Sequence, residues 1–206
     1  MHILIVFAIP VFMASFARSA PLPDGSALVA DPEIVKMSRS LIQKILLSIP
    51  DAHESCVYTE TLKLNSSDNE NLGVMASNIG IPSAPILKTL SDSFTLETGL
   101  KHMSEGLQLH RALLSSISPR LENNNKVTDL QSDIRDLAIQ INKMLNKITA
   151  ETMVLPSPTP VALRLPGEYE VQVAAHLTLV QLQSFGQDVV RLLRSLDQGS
   201  EEEMES

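Results

Sequence analysis

The side chains in this sequence that could bind a metal ion or act as a general base are few and scattered. A metal site in a helical bundle typically combines Glu-x-x-His pairs from two helices. His102 and Glu105 are three residues apart, but no second such pair accompanies them. The pattern therefore predicts neither a metal site nor a cofactor. The histidines are His2, His53, His102, His110 and His176.

The motifs of the common enzyme classes are also missing. The chain contains no Gly-x-Ser-x-Gly elbow, phosphate-binding loop or dinucleotide fingerprint. Its single cysteine, Cys56, has no His partner distinguished by motif or spacing. This indicates a non-enzymatic protein. A lone cysteine cannot form an internal disulfide, so Cys56 is either a buried, inert thiol or half of an intermolecular bridge, and we expect the first.

The N-terminus is typical of a secretory signal peptide. An apolar run over residues 3–16 is too short to cross a membrane and ends in small residues. Ala17 and Ser19 suit cleavage after residue 19, cleavage after Ala17 being the alternative, and a buried N-terminal strand or helix is the competing interpretation. No second apolar run approaches membrane length, so we expect a secreted chain over 20–206 without membrane insertion. Asn65-Ser66-Ser67 is a glycosylation sequon, which fits export.

The charge of the chain argues against a nucleic-acid partner. Residues 1–19 contain Arg18 and no acidic side chain, so their removal leaves 15 of the 16 basic side chains against 24 acidic ones, a net charge of −9. Four glutamates lie in the last six residues, and we expect residues 198–206 to form an acidic, disordered tail.

The strongest helical pattern lies between Lys126 and Ile148. Its apolar residues alternate in steps of four and three, which places them on one side of a helix. Thr128 and Gln131 suggest a capping box at its start. The apolar residues are Leu130, Ile134, Leu137, Ile141, Met144 and Ile148.

Three further segments have the same helical periodicity, at 32–49, 92–117 and 168–196. Asp31 and Pro32 predict the start of the first helix, and Pro50 predicts its end. Long connections follow the first and third helices, whereas only a short one joins the second to the third. This pattern predicts an all-α, up-up-down-down four-helix bundle with two long crossover loops.

Several motifs carry a resemblance to a known family. They are Leu72–Pro85, ending Gly-Ile-Pro-Ser-Ala-Pro; Ile117-Ser118-Pro119 followed by Asp133–Asp136; and Leu182–Phe185 leading to Arg191–Leu196. Together they resemble the granulocyte colony-stimulating factor group of the interleukin-6 type of long-chain helical cytokines. The spacing of the family's cysteine signature is kept in this sequence, but both cysteines and the aromatic residue are replaced. A family member from an ectothermic vertebrate would fit these replacements. The signature positions are Thr89, Gly99, Gly106-Leu107, His110 and Leu114.

The resemblance implies a function and a set of contact residues. It implies a free monomer that binds a homodimerising class I cytokine receptor, signals through Janus kinases and STAT proteins, and supports proliferation, survival and maturation of granulocyte-lineage cells. Asp133 and Asp136 match the family's acidic receptor contacts, while the assisting first-helix acid is replaced by Ser40 or Arg39. The second receptor contact would involve Glu70, Leu72, Val74 and Tyr169.

Helical geometry adds one residue to the first contact. The arc opposite the core holds Ser132, Asp136, Ile139 and Lys143, with Asp133 and Gln140 nearer the packed edge. An exposed Ile139 bordered by acids has the composition of a small contact centre. The alternative function is a secreted amphipathic bundle that carries lipid. Few aromatic residues and a lack of basic residues along the apolar borders argue against it.

Overall fold

The structure is a computed structural model that describes residues 31–64, 72–87, 95–149, 157 and 159–202. Within these ranges all regular structure is helical, which confirms the predicted all-α class. Residues 1–30, with the predicted signal peptide, lie outside the described residues, as do Asn65 and Glu70. The helices are α1 (Pro32–Cys56), α2 (Gly73–Ile79), α3 (Leu96–Ile117), α4 (Asn125–Thr149) and α5 (Glu168–Glu202).

The first helix begins where the sequence predicts and ends later. The Asp31 side chain accepts a hydrogen bond from the Glu33 backbone N–H at 3.0 Å, with Pro32 in the first turn. The predicted end at Pro50 is wrong, because α1 continues through it to Cys56. Pro50 lies on the exposed side, while Ala52 and Cys56 in the next turn are buried. Their burial offsets the backbone hydrogen bond that proline removes.

The predicted capping box of the fourth helix is also wrong. α4 begins at Asn125, so Thr128 lies within its first turn and donates its N–H to the Asn124 carbonyl at 2.8 Å. The Gln131 side chain instead accepts a hydrogen bond from the Ser115 hydroxyl of α3 at 3.0 Å. The predicted span of 126–148 otherwise matches α4 closely. At the other end of the chain, α5 runs to Glu202 and so enters the segment assigned to the tail.

Four long helices share one aliphatic core. α1 and α3 each pack against both α4 and α5, and the short α2 packs against α5. The predicted apolar side of α4 faces the core, since five of its six predicted apolar residues are buried and Ile148 is partly buried. The buried five are Leu130, Ile134, Leu137, Ile141 and Met144.

Two glycines allow α5 to approach its neighbours closely. A Cβ atom at Gly106 of α3 would lie only 2.2 Å from the Phe185 ring of α5, so the ring occupies the space that a side chain would need. A Cβ atom at Gly186 would lie 2.8 Å from Leu46 Cδ2 of α1. Phe185 and Gly186 are consecutive, so a single turn of α5 packs into α3 and receives side chains from α1.

This packing makes Gly106→Ala a test of the core. Alanine is about 1 kcal/mol better than glycine inside a helix, but the Phe185 ring is in the way, and overpacking typically costs about 1 to 3 kcal/mol. We expect a net decrease in the free energy of unfolding, measured by urea denaturation followed by circular dichroism.

Gly73→Ala is the matched control, because no atom lies within 4 Å of the added Cβ. It should leave stability unchanged or slightly raised. Phe185→Leu should partly rescue Gly106→Ala by making room for the methyl group. Equal stability of Gly106→Ala and the wild type would contradict the close packing described above.

Candidate protein-binding surface

An ion pair connects α1 and α4 near the middle of the bundle. Lys44 Nζ donates to Asp133 Oδ1 at 2.6 Å. The hydrogen bond to Asp133 and the charge of that carboxylate raise the pKa of Lys44, and the charges of Asp136 and Asp129 add to the effect. Three carboxylates of α4 therefore lie close enough to one α1 lysine to stabilise its positive charge.

Asp133 is the less accessible of the two predicted acidic contacts. Its side chain is 13% exposed and is already paired with Lys44, whereas the side chain of Asp136 is 49% exposed. Asp136 accepts a hydrogen bond from its neighbour Arg135 at 3.3 Å and keeps much of its surface in solvent. Asp136 is therefore the more accessible of the two, and Asp133 joins α4 to α1 through Lys44.

The expectation of an exposed Ile139 is not met, because the side chain is half-buried. Arg135 and Lys143 lie four residues before and after it, on the same side of α4. Ile139 thus contributes less apolar area than its position on the helix suggests.

The exposed apolar residues of this region lie on α1 instead. Leu47 is 79% exposed, and Met37 is also exposed. Leu47 lies three residues after Lys44 and Met37 seven residues before it, so both flank the ion pair. We call Met37, Lys44, Leu47, Asp133 and Asp136 the α1–α4 face. Sequence analysis missed Leu47, although its position outside the buried apolar stripe of α1 was a usable signal.

A second exposed group lies where α1 ends and α5 begins. Tyr169 and Tyr58 are both exposed, and the Tyr58 hydroxyl donates a hydrogen bond to Glu168. That bond raises the pKa of Tyr58. Tyr58, which the sequence did not single out, thus contacts the residue that precedes the predicted contact Tyr169. We call Tyr58, Glu168 and Tyr169 the tyrosine end.

Two further predicted contacts, Leu72 and Val74, lie at the start of α2. Val74 is exposed, whereas Leu72, just before the helix, is half-buried. α2 is joined to the segment before α5 by a hydrogen bond from the Arg164 N–H to the Ile79 carbonyl at 2.9 Å. Glu70 lies outside the described residues.

One buried amide fixes the geometry of the tyrosine end. Gln172 Oε1 accepts hydrogen bonds from the backbone N–H groups of Tyr58 and Thr59 at 3.1 and 3.0 Å, and from the Thr59 hydroxyl at 2.7 Å. Gln172 lies one turn into α5, so these bonds hold the end of α1 against α5. The relative position of Tyr58 and Tyr169 depends on this contact.

Two side chains that are candidates for catalysis, His110 and Cys56, are buried inside the bundle. His110 is fully buried beside Phe185, and its Nδ1 atom is 2.7 Å from the Gly106 carbonyl. Burial lowers its pKa to about 4, despite the opposing effect of that hydrogen bond.

In the part of the chain that the structure describes, no three His, Cys, Asp or Glu side chains converge as metal ligands. None of the described helices is both long and apolar enough to span a membrane.

The buried Cys56 should be chemically inert in the folded protein. Its Sγ atom donates to the Ala52 carbonyl at 3.1 Å, and burial raises the pKa of the thiol to about 12. Because the thiolate is the reactive form, we expect almost no labelling by iodoacetamide at neutral pH and complete labelling in guanidinium. Mass spectrometry of the intact chain measures both. Rapid labelling of the native protein would contradict the buried position.

No protein-family model and no curated protein matches the chain significantly. Its function must be inferred from its residues and their contacts.

Proposed function

We propose that this protein is a secreted haematopoietic cytokine that binds and dimerises a class I cytokine receptor and promotes proliferation, survival and differentiation of granulocyte-lineage cells. The observation that carries the proposal is the pairing of the four long helices. α1 and α3 each pack against α4 and α5, which is the pairing expected when two helices of one direction alternate with two of the other around a bundle. The cell type and the receptor class come from the family resemblance.

Contacts along α4 support the proposed up-up-down-down topology. Asp31 before α1 forms an ion pair with Lys147 near the end of α4, whereas Lys44 farther along α1 pairs with Asp133. Residue numbers thus rise on one helix as they fall on the other, as they do in antiparallel helices. α3 and α4 follow the same rule, with hydrogen bonds joining Ser104 to Asn142 and Ser115 to Gln131.

Contacts between α1 and α5 support the other half of that topology. Leu46 packs at Gly186, whereas His53 near the end of α1 contacts His176 near the start of α5. This is again the antiparallel order. With α1 and α3 both antiparallel to α4, and α5 antiparallel to α1, the first two long helices share one direction and the last two share the other. Such a bundle needs a long crossover after α1 and another after α4.

The two exposed groups suit two separate receptor contacts. The α1–α4 face combines an apolar residue, Leu47, with a charged rim that includes Asp136. The tyrosine end offers two aromatic rings on another part of the bundle, and tyrosine is enriched where proteins bind one another. A protein that binds one receptor chain at each place would bring two chains together. Signalling would then follow from the proximity of the kinases on those chains and would require no catalysis by this protein.

The test replaces two accessible members of the α1–α4 face, one apolar and one acidic. We expect Leu47→Ser with Asp136→Lys to weaken binding to the receptor by about 2 kcal/mol, or roughly 30-fold in Kd, because an apolar centre and its charge complement are both lost. The measurement is surface plasmon resonance of the secreted chain on immobilised class I cytokine receptor ectodomains from an ectothermic vertebrate. Asp133 is left unchanged because its substitution would disturb the pairing of α1 with α4.

Matched controls come from elsewhere on the surface. Ile86 is 73% exposed, close to the 79% of Leu47, and Glu105 is an exposed acid of α3. Ile86→Ser with Glu105→Lys also replaces one exposed aliphatic residue by serine and one acid by lysine, but outside the α1–α4 face. This control variant should bind as the wild type does. Equal weakening by both double variants would remove the α1–α4 face from the proposal. Failure of the wild type to bind any such ectodomain, together with flotation on liposomes, would favour the lipid-carrying alternative.

A further inference from the structure

Two histidines meet in the buried contact between α1 and α5. His53 Nε2 lies 2.9 Å from His176 Nδ1, a hydrogen-bond distance, and the two rings meet edge to face with their centroids 5.2 Å apart. Relative exposure is 8% for His53 and zero for His176. The pair lies one turn from Gln172, the residue that holds the end of α1 on α5.

A hydrogen bond between two imidazole rings sets a limit on their protonation. One of the two facing nitrogens must donate a proton and the other must accept it, so at least one ring is neutral. If both rings are protonated, two N–H groups and two positive charges face each other inside the core. The second proton therefore removes the hydrogen bond and replaces it with repulsion.

The buried position of the two rings favours their neutral form. Burial lowers the pKa of His53, while burial and then the charge of His53 lower the pKa of His176 to about 4. α2, which packs on α5, contains no titratable side chain. Charged or titratable groups also lie on the other adjoining segments: Asp51, Glu54, Cys56 and Tyr58 at the end of α1, Glu168, Tyr169 and Glu170 at the start of α5, His110 and Arg111 on α3, Arg120 and Glu122 after α3, and Lys126 and Asp129 on α4.

We propose that the His53–His176 pair is a proton-operated latch that opens the joined ends of α1 and α5 when the protein passes from neutral to mildly acidic surroundings. Protonation separates the rings, and the Gln172 contacts with Tyr58 and Thr59 loosen with them. The tyrosine end then loses its fixed geometry while the rest of the core stays packed.

The sign of the effect follows from proton linkage. Both histidines have a folded-state pKa below the ordinary value of 6.5, so the open state binds more protons than the closed state. The closed contact is fully stable above about pH 6.5 and loses stability as the pH falls from there towards 4. For each additional proton that the open state binds, the equilibrium constant for opening rises about tenfold when the pH falls by one unit within that window.

The physiological use of the latch rests on the proposed function. A receptor complex taken into an acidifying compartment would lose the contact at the tyrosine end, so the cytokine would be released there and retained at neutral pH. The experiment below uses the free protein without any receptor. A failure of the latch is therefore distinguishable from a failure of the proposed function.

The test compares the wild type with His53→Gln/His176→Asn. Glutamine places its amide near the position of Nε2 and asparagine near that of Nδ1, so one hydrogen bond is retained but nothing titrates. Hydrogen–deuterium exchange, corrected for the intrinsic rate at each pH, is followed in peptides covering 50–60 and 170–178. Between about pH 6.5 and pH 5 we expect opening of these peptides to increase at least about tenfold in the wild type and less than about twofold in the double variant.

A control variant and a second measurement make the result decisive. His110→Asn removes the other strongly shifted buried histidine and should leave the response of the two peptides unchanged. In the wild type alone, NMR should show amide shifts in the same segments as the two rings titrate, which keeps the test valid if a variant folds poorly. Equal exchange at both pH values, a response that persists in the double variant, or ring titration without any change in these amides would overturn the latch.

Discussion

The close approach of α5 to α1 and α3 is the contact on which the other features depend. The Phe185 ring of α5 fills a space that exists because Gly106 of α3 has no side chain. Gly186, the residue after Phe185, leaves room for Leu46 and Ile42 of α1. Full burial of one such aliphatic or aromatic side chain is worth about 1.5 to 3 kcal/mol. A chain with one cysteine has no internal disulfide, so packing of this kind must hold the bundle together.

The helices themselves could be predicted because their apolar residues repeat with helical spacing over many turns. The exact ends could not, because they depend on tertiary contacts. Pro50 looks like a stop signal in the sequence, yet α1 passes through it because Ala52, His53 and Cys56 gain burial beyond it. Gln131 looks like part of a cap, but its side chain accepts a hydrogen bond from Ser115 of the neighbouring helix α3. In both cases long-range packing overrode a correct local rule.

The binding surface was less predictable than the fold, for a related reason. A helical repeat shows which side of a helix is apolar, but not which polar residue on its edge meets a partner from another helix. Asp133 looks like a surface acid until the position of Lys44 on α1 is known. Leu47 and Tyr58 are ordinary residues in the sequence, and only the packed helices show that they stay exposed. The predicted contacts Asp136, Val74 and Tyr169 are accessible in the structure, while Ile139 and Leu72 are only partly so.

The proposed function requires two surfaces that act at once, because a ligand with a single receptor contact could not bring two receptor chains together. The α1–α4 face and the tyrosine end are two separate exposed groups with different chemistry, apolar and acidic in one and aromatic in the other. Analytical ultracentrifugation of residues 20–206 with a class I cytokine receptor ectodomain measures the stoichiometry directly. The account predicts a complex in which two receptor chains are joined through this protein. A complex that contains a single receptor chain, even with excess receptor, would contradict it.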